Sequence, residues 1–145
     1  MKNKVKVCLV SKFFYPLYAG QGVRFFRYAP ELKKRGIEMS VFTSEITEDS
    51  ILRDGILDKE KYIYNNQIIL PPENEEINGI KIHRSKTIPG WRNSLSFFWG
   101  FYKYVIKNKN DIDVIQFLNI NIWAIPFLLR LKYLKFPIVF THTLM

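Results

Sequence analysis

An α/β doubly wound parallel sheet is the architecture this sequence predicts, on three observations. Short, β-branched apolar runs alternate with segments of helical period along the chain, the pattern of a parallel sheet covered by helices on both faces. The first two runs are joined by a full helix, which implies a right-handed parallel β-α-β unit. At 145 residues, 48% of them hydrophobic, the chain suits one domain with a real core and is too apolar to be disordered.

Val5 to Val10 reads as the first strand, apolar enough to be buried on both faces. Ser11 to Gly22 follows as a loop broken by Pro16, Gly20 and Gly22. From Val23 the spacing of Val23, Phe26, Ala29 or Pro30, and Leu32 predicts a helix, closed by Lys33, Lys34 and Arg35 with Gly36 as its cap. Pro30 inside this helix is expected to kink it near Phe26. Ile37 to Thr43 is the second strand. The stretch from Glu45 to Glu76 has no clear period and reads as a long surface insertion with room for one short helix.

Asn78-Gly79 marks a turn into a third strand, Ile80 to Arg84. Leu95, Phe98, Trp99, Tyr102 and Ile106 fall at helical spacing and predict a helix from Asn93 to Asn108. Val114 to Leu118 is a fourth strand, Asn121 to Lys132 a short helix with Pro126 near its start, and Pro137 to Thr141 a fifth strand. The chain stops a few residues later, at Met145, where a domain of this type normally continues with covering helices, so the sequence reads as truncated.

Charge is distributed unevenly around a net +9. Glu45 to Glu76 holds nine acids and three bases, and the remainder holds nineteen bases and four acids. That imbalance favours phosphates, anionic lipid headgroups or nucleic acid as partners, against a plainer reading of solubility alone. No RRM, KH or helix-turn-helix pattern is present, so nucleic acid is not an expected partner. The N-terminal apolar run is too short for a signal peptide. The longest uncharged run, Val114 to Leu129, is shorter than a membrane span and contains Gln116, Asn119, Asn121 and Pro126. The single cysteine, Cys8, excludes an internal disulfide and lies in an apolar run, where a small buried hydrophobe is expected.

The loop Tyr15-Pro16-Leu17-Tyr18-Ala19-Gly20-Gln21-Gly22 is the most informative feature. Glycines just before a helix let backbone N–H groups approach a phosphate at the positive end of the helix dipole, though a glycine pair there is often only a turn. It is not a dinucleotide fingerprint, because Phe25 occupies the third glycine position, and no Gly-Lys-Ser/Thr makes it a P-loop.

Val10 to Pro16, Gly20-Gln21-Gly22 and the Leu32 to Thr43 run, taken in order, resemble the opening of family 4 glycosyltransferases of the GT-B fold. Asn78 to Arg84, Asp111-Ile112-Asp113-Val114-Ile115 and Pro137 to Thr143 are similar to that family's succeeding strands. The resemblance implies a Rossmann-like N-terminal, acceptor-side domain over residues 1–145 with an insertion at about 45–76, and an absent C-terminal donor-binding domain. It implies substrate-binding roles for Gly20, Gln21 and Gly22, and for His142, which matches a histidine common after the fifth strand. Gln116 and Leu118 stand where the family often has histidines, which puts that part of the acceptor site in doubt.

By the same resemblance no metal and no cofactor is expected, helix dipoles and basic side chains serving the leaving diphosphate. The expected partners are a nucleotide sugar, a cell-surface polysaccharide or lipid-linked acceptor, and a separate C-terminal domain. Catalytic residues are not assigned, and the isolated chain is expected to be inactive because transfer needs both halves to exclude water. A stand-alone Rossmann-like nucleotide-binding module, or a non-catalytic subunit of a split enzyme, remains the alternative. The aromatic and basic residues from Trp91 to Tyr104, with Arg130, Lys132, Tyr133 and Lys135, read either as a core stripe with a solvated face or as a surface for anionic membrane. The expected location is cytoplasmic, either free or peripheral on the inner membrane face.

Overall fold

The computed structural model describes residues 3–17, 20–118 and 121–141. In chain order, β1 (Val5–Val10), α1 (Gly20–Lys34) and β2 (Ile37–Ser44) form the opening unit. There follow α2 (Glu48–Asp54), α3 (Lys59–Tyr62), β3 (Ile63–Tyr64), β4 (Gln67–Ile68) and β5 (Asn74–Ile77). The second half is β6 (Ile80–Ser85), α4 (Asn93–Lys107), β7 (Val114–Leu118), α5 (Ile125–Tyr133) and β8 (Ile138–Thr141).

Six strands form one sheet in the order β5-β6-β2-β1-β7-β8, and β3 pairs with β4 separately. All neighbours in the large sheet are parallel except β5, which runs antiparallel to β6. The sheet is a Rossmann-like α/β fold, as the sequence predicts. Strand order reverses between β1 and β7, the place where such sheets open a crevice at their carboxyl ends.

Successive side chains of each strand feed opposite faces. Leu9, Met39, Val41, Ile80 and Ile82 enter one core with Ala29 of α1 and with Phe14 and Tyr15. Cys8, Val10, Phe42, Ile115 and Phe117 enter the other, against Phe97, Phe98, Phe101 and Val105 of α4 and Leu131 of α5. Both β1 faces are thus covered, which is why Val5 to Val10 is apolar without alternation. Cys8 is fully buried, and burial pushes its thiol up to about 12.

Three expectations need correction. The stretch from Glu45 to Glu76 is not an irregular surface loop: it holds two helices, a hairpin and a sixth strand of the main sheet. Its order comes from local devices that carry no period. A Thr47–Ser50 capping box starts α2. Asn78 and Gly79, at φ 53° and 77°, make the two-residue turn that folds Asn74–Ile77 back onto β6. Ile46, Ile51, Ile56 and Tyr62 then enter the core beneath α1.

The second correction concerns α4, where the buried stripe is Phe97, Phe98, Phe101 and Val105, while Leu95, Trp99 and Ile106 are exposed. An apolar helix offers more than one stripe at helical spacing, and the sheet decides which one is covered. Third, α1 begins at Gly20 rather than Val23 and continues through Pro30 to Lys34. Gly36, at φ 83°, ends the turn beyond it, and its carbonyl accepts from the Val5 amide at 2.9 Å. Among the described residues no helix is long and apolar enough to cross a membrane.

Candidate functional site at the carboxyl end of the sheet

A cleft of about 740 Å³ opens where β1, β2 and β6 end, within the size range of small-molecule sites. Its walls come from four segments: Lys12, Phe13 and Leu17 after β1; Ser44 and Glu45 after β2; Thr47, Asp49, Ser50 and Arg53 of the insertion; and Thr87 to Ser94 leading into α4. The loop after β1 is held from two sides. Pro16 carbonyl accepts from the Leu57 amide at 2.7 Å, Leu17 bridges to Ile56, and Tyr15 Oη donates to Asp58 Oδ2 at 2.5 Å. Burial first, then Asp58 and Tyr62, push the Tyr15 phenol above its ordinary range. The Tyr15–Pro16 bond is cis.

Arg84 is the other clamp. It is 1% exposed at the end of β6, yet its guanidinium donates to Glu75 Oε2 at 2.8 Å, Pro72 carbonyl at 2.9 Å and Tyr15 carbonyl at 3.0 Å. One side chain therefore ties the edge strand β5, the segment before it and the loop after β1 together. Arg84 Nε has no hydrogen-bond partner among the described residues.

Of the residues expected to bind substrate, Gly20 opens α1 and Gly22 lies in its first turn. A methyl group on Gly22 would sit 2.8 Å from the Phe13 carbonyl oxygen and 3.1 Å from the Phe14 ring. Gly22 thus lets the start of α1 pack directly on the Phe13–Phe14 backbone, a demand the glycine pattern does not distinguish from phosphate approach. Gln21 shares this turn, and His142 lies outside the described residues. Gln116 points across β7 to β8, donating from Nε2 to Thr141 Oγ1 at 2.7 Å.

Lys12, Asn93 and Ser94 form the polar end of the cleft. Lys12 Nζ donates to Asn93 Oδ1 at 2.9 Å and Ser94 Oγ at 2.6 Å, and burial lowers its pKa. Glu45 and Asp49 line the cleft on the insertion side, and Trp91 offers a broad, exposed ring beside them. The lining suits a hydroxylated ligand, with carboxylates to accept hydroxyls, amides and hydroxyls to orient it, and an aromatic face for an apolar sugar surface. Sequence reasoning missed Lys12, Thr87, Asn93 and Ser94. The available signal was Lys12 itself, a lone cation two residues past a buried strand, at the edge where such sheets bind ligands.

No protein-family model matches the chain, and no curated protein matches it. Among solved structures, sucrose-phosphate synthase from Thermosynechococcus elongatus, a GT-B glycosyltransferase, is similar with a TM-score of 0.55 at 12% identity. The match covers 94% of this chain and 32% of that one. The likeness is one of fold: this chain shares the Rossmann-like α/β architecture of part of that protein. It spans less than half of that structural neighbour, and the match takes in the sheet on which the cleft is built.

Proposed function

We propose that this chain is the acceptor-side domain of a glycosyltransferase that moves a sugar from a nucleotide-activated donor to a cell-surface polysaccharide or lipid-linked acceptor. The observation that carries this reading is the polar, aromatic-rimmed cleft at the carboxyl end of a glycosyltransferase-like sheet. Gly20, Gln21 and Gly22 hold the first turn of α1 at that end of the sheet, where its N–H groups and dipole favour an anionic or polar ligand. His142, just past β8, is assigned to the acceptor side, and neither a metal nor a cofactor is invoked. In this reading the donor is held by a C-terminal domain, and transfer requires the two domains to close around the substrates and exclude water.

Sugar transfer is the test. The chain, together with the polypeptide that follows it in the gene, should move label from a radiolabelled nucleotide sugar into the membrane or polymer fraction of the cell. Transfer by the chain alone, or none by the pair with any of the common uridine, guanosine or thymidine nucleotide sugars, would overturn the proposal.

A second reading, compatible with the first, concerns the outer face of α4 and α5. Exposed Trp99 and Tyr133 each lie under a cation: Lys103 at 5.9 Å and Arg130 at 5.3 Å from the ring centre. Leu95, Ile125 and Leu129 are exposed with them. Amphipathic rings beside cations are the side chains that settle at an anionic bilayer surface, and we propose this face as the membrane-facing one on that ground. Co-sedimentation with vesicles containing phosphatidylglycerol but not with pure phosphatidylcholine is the expected result, and equal sedimentation with both would count against it.

A further inference from the structure

We infer that the Lys12 end of the cleft binds an oxyanion, a phosphate or carboxylate group carried by the acceptor. Calling the ligand an acceptor rests on the function proposed above; the oxyanion itself rests on the direction of the hydrogen bonds. Lys12 Nζ gives two protons, to Asn93 Oδ1 and Ser94 Oγ. Ser94 Oγ also accepts from Asn121 Nδ2 at 3.0 Å. The Asn121 amide cannot turn round, because its Oδ1 accepts the Trp123 N–H at 3.1 Å. The Asn93 amide is fixed in the same way: its oxygen faces the ammonium, so its Nδ2 donates to Thr87 Oγ1 at 2.9 Å.

Every arrow in this chain of bonds leaves a proton over. Ser94 Oγ has both lone pairs filled by donors that cannot accept, so its own O–H must be given elsewhere. Thr87 Oγ1 already accepts, and its proton is likewise left to give, as is the third proton of Lys12. Among the described residues these three donors have no further acceptor, and all three residues line one cleft. Among the described residues no carboxylate comes within 4.0 Å of Lys12 Nζ, so the positive charge is hydrogen-bonded but not neutralised. A cluster that is rich in donors, poor in acceptors and carries an unpaired cation is complementary to an oxyanion.

The remaining lining sets the rest of the ligand. Glu45 and Asp49 repel a second anion and accept hydroxyl protons, and Trp91 offers a ring face. The ligand class is therefore a sugar bearing one acidic group, with that group at Lys12 and its hydroxyls toward the insertion.

The test is a titration of the isotope-labelled chain with inorganic phosphate and, separately, with sodium acetate, followed by amide chemical shifts. Saturable shifts at Lys12, Asn93 and Ser94 with at least one anion are expected, and the stronger of the two arms names a phosphoryl or a carboxyl ligand. Lys12→Met should weaken binding at least about tenfold, as a charged hydrogen-bonding partner is worth about 1.5–3 kcal/mol. Lys109→Met makes the same charge change on an exposed turn and should leave binding within about twofold. If Lys12→Met does not fold, Thr87→Val with Ser94→Ala carries the test, removing two donors while the ammonium stays.

No saturable shift with either anion overturns the inference, and so does equal weakening by Lys12→Met and Lys109→Met. Anion binding without sugar transfer would overturn the glycosyltransferase reading and leave the oxyanion site standing. Sugar transfer without anion binding would do the reverse.

Discussion

The two faces of the sheet are packed and charged in opposite ways. On the α1 face the core is mostly aliphatic, and its outer layer is the acidic insertion, which sends Ile46, Ile51, Ile56 and Tyr62 inward. On the α4–α5 face the core is aromatic, with Phe42 lying within 5.4 Å of the Phe97, Phe101 and Tyr104 rings, and the outside is basic and aromatic again. One face spends a separate segment of chain on covering the sheet; the other covers it with two helices that keep apolar side chains on their outer side. The lesson is that burial and interaction are segregated here by face. The insertion builds the cleft and stabilises its loop, whereas the outer side of α4 and α5 is left to meet something else.

Substitutions can break that contrast, and the largest effect is expected on the aromatic side. Phe101 is fully buried between Phe42 and Phe117. Phe101→Ala should cost about 3–5 kcal/mol in urea unfolding, because rigid rings around it cannot collapse into the space. On the insertion side the equivalent pivot is polar. Arg84→Met should cost about 3 kcal/mol by leaving Glu75 with only the more exposed Lys61, 3.5 Å away, to pair with it, and adding Glu75→Gln should recover much of that. Failure of the double variant to recover would show that the carbonyls of Pro72 and Tyr15, rather than the ion pair, are what Arg84 serves.

Gly22→Ala comes next. Its methyl would meet the Phe13 carbonyl oxygen at 2.8 Å, and a shift of backbone there should cost about 1–3 kcal/mol in the same measurement. Tyr133→Ala should leave stability within about 0.5 kcal/mol, since the residue is 74% exposed. Its expected effect is on vesicles instead: burying a large apolar side chain is worth about 1.5–3 kcal/mol, so affinity should fall roughly ten- to a hundredfold. An unchanged vesicle affinity would remove Tyr133 from the proposed membrane face.

The smallest effect is a pH dependence. His83 stacks against both Phe42 and Tyr104, whose rings also meet, and burial lowers its pKa below the ordinary 6.5, opposed by Glu73 and helped by Lys107. The folded state therefore holds fewer protons than the unfolded chain as pH falls past that value. Stability should be level above about pH 7 and decline as pH drops through 6.5 toward the folded pKa. His83→Gln should flatten that part of the curve, and an unchanged slope would place the titrating group elsewhere.

How much of this was legible follows from what each residue reports. The carboxyl halves of Val5 to Val10 and Ile37 to Ser44 carry Cys8-Leu9-Val10 and Val41-Phe42, buried from both faces, so short apolar runs located the central strands. Helix α1 announced itself through Lys33, Lys34 and Gly36, which answer to local dipole and cap chemistry. The side chains of the cleft at the carboxyl edge were not legible in this way. Lys12, Thr87, Asn93, Ser94 and Asn121 come from three separate stretches of sequence, and nothing in any one of them signals the others.

The sequence by itself determined the layers and the mostly parallel sheet, since these follow from short-range periodicity and connection lengths. Only the tertiary structure decided which stripe of α4 is buried, that the acidic segment supplies a sixth strand and a wall of the cleft, and that Gly22 packs on the Phe13 backbone. Those outcomes depend on contacts between residues far apart in the chain, such as Arg84 with Tyr15, whose partners are chosen by three-dimensional proximity and leave no local trace.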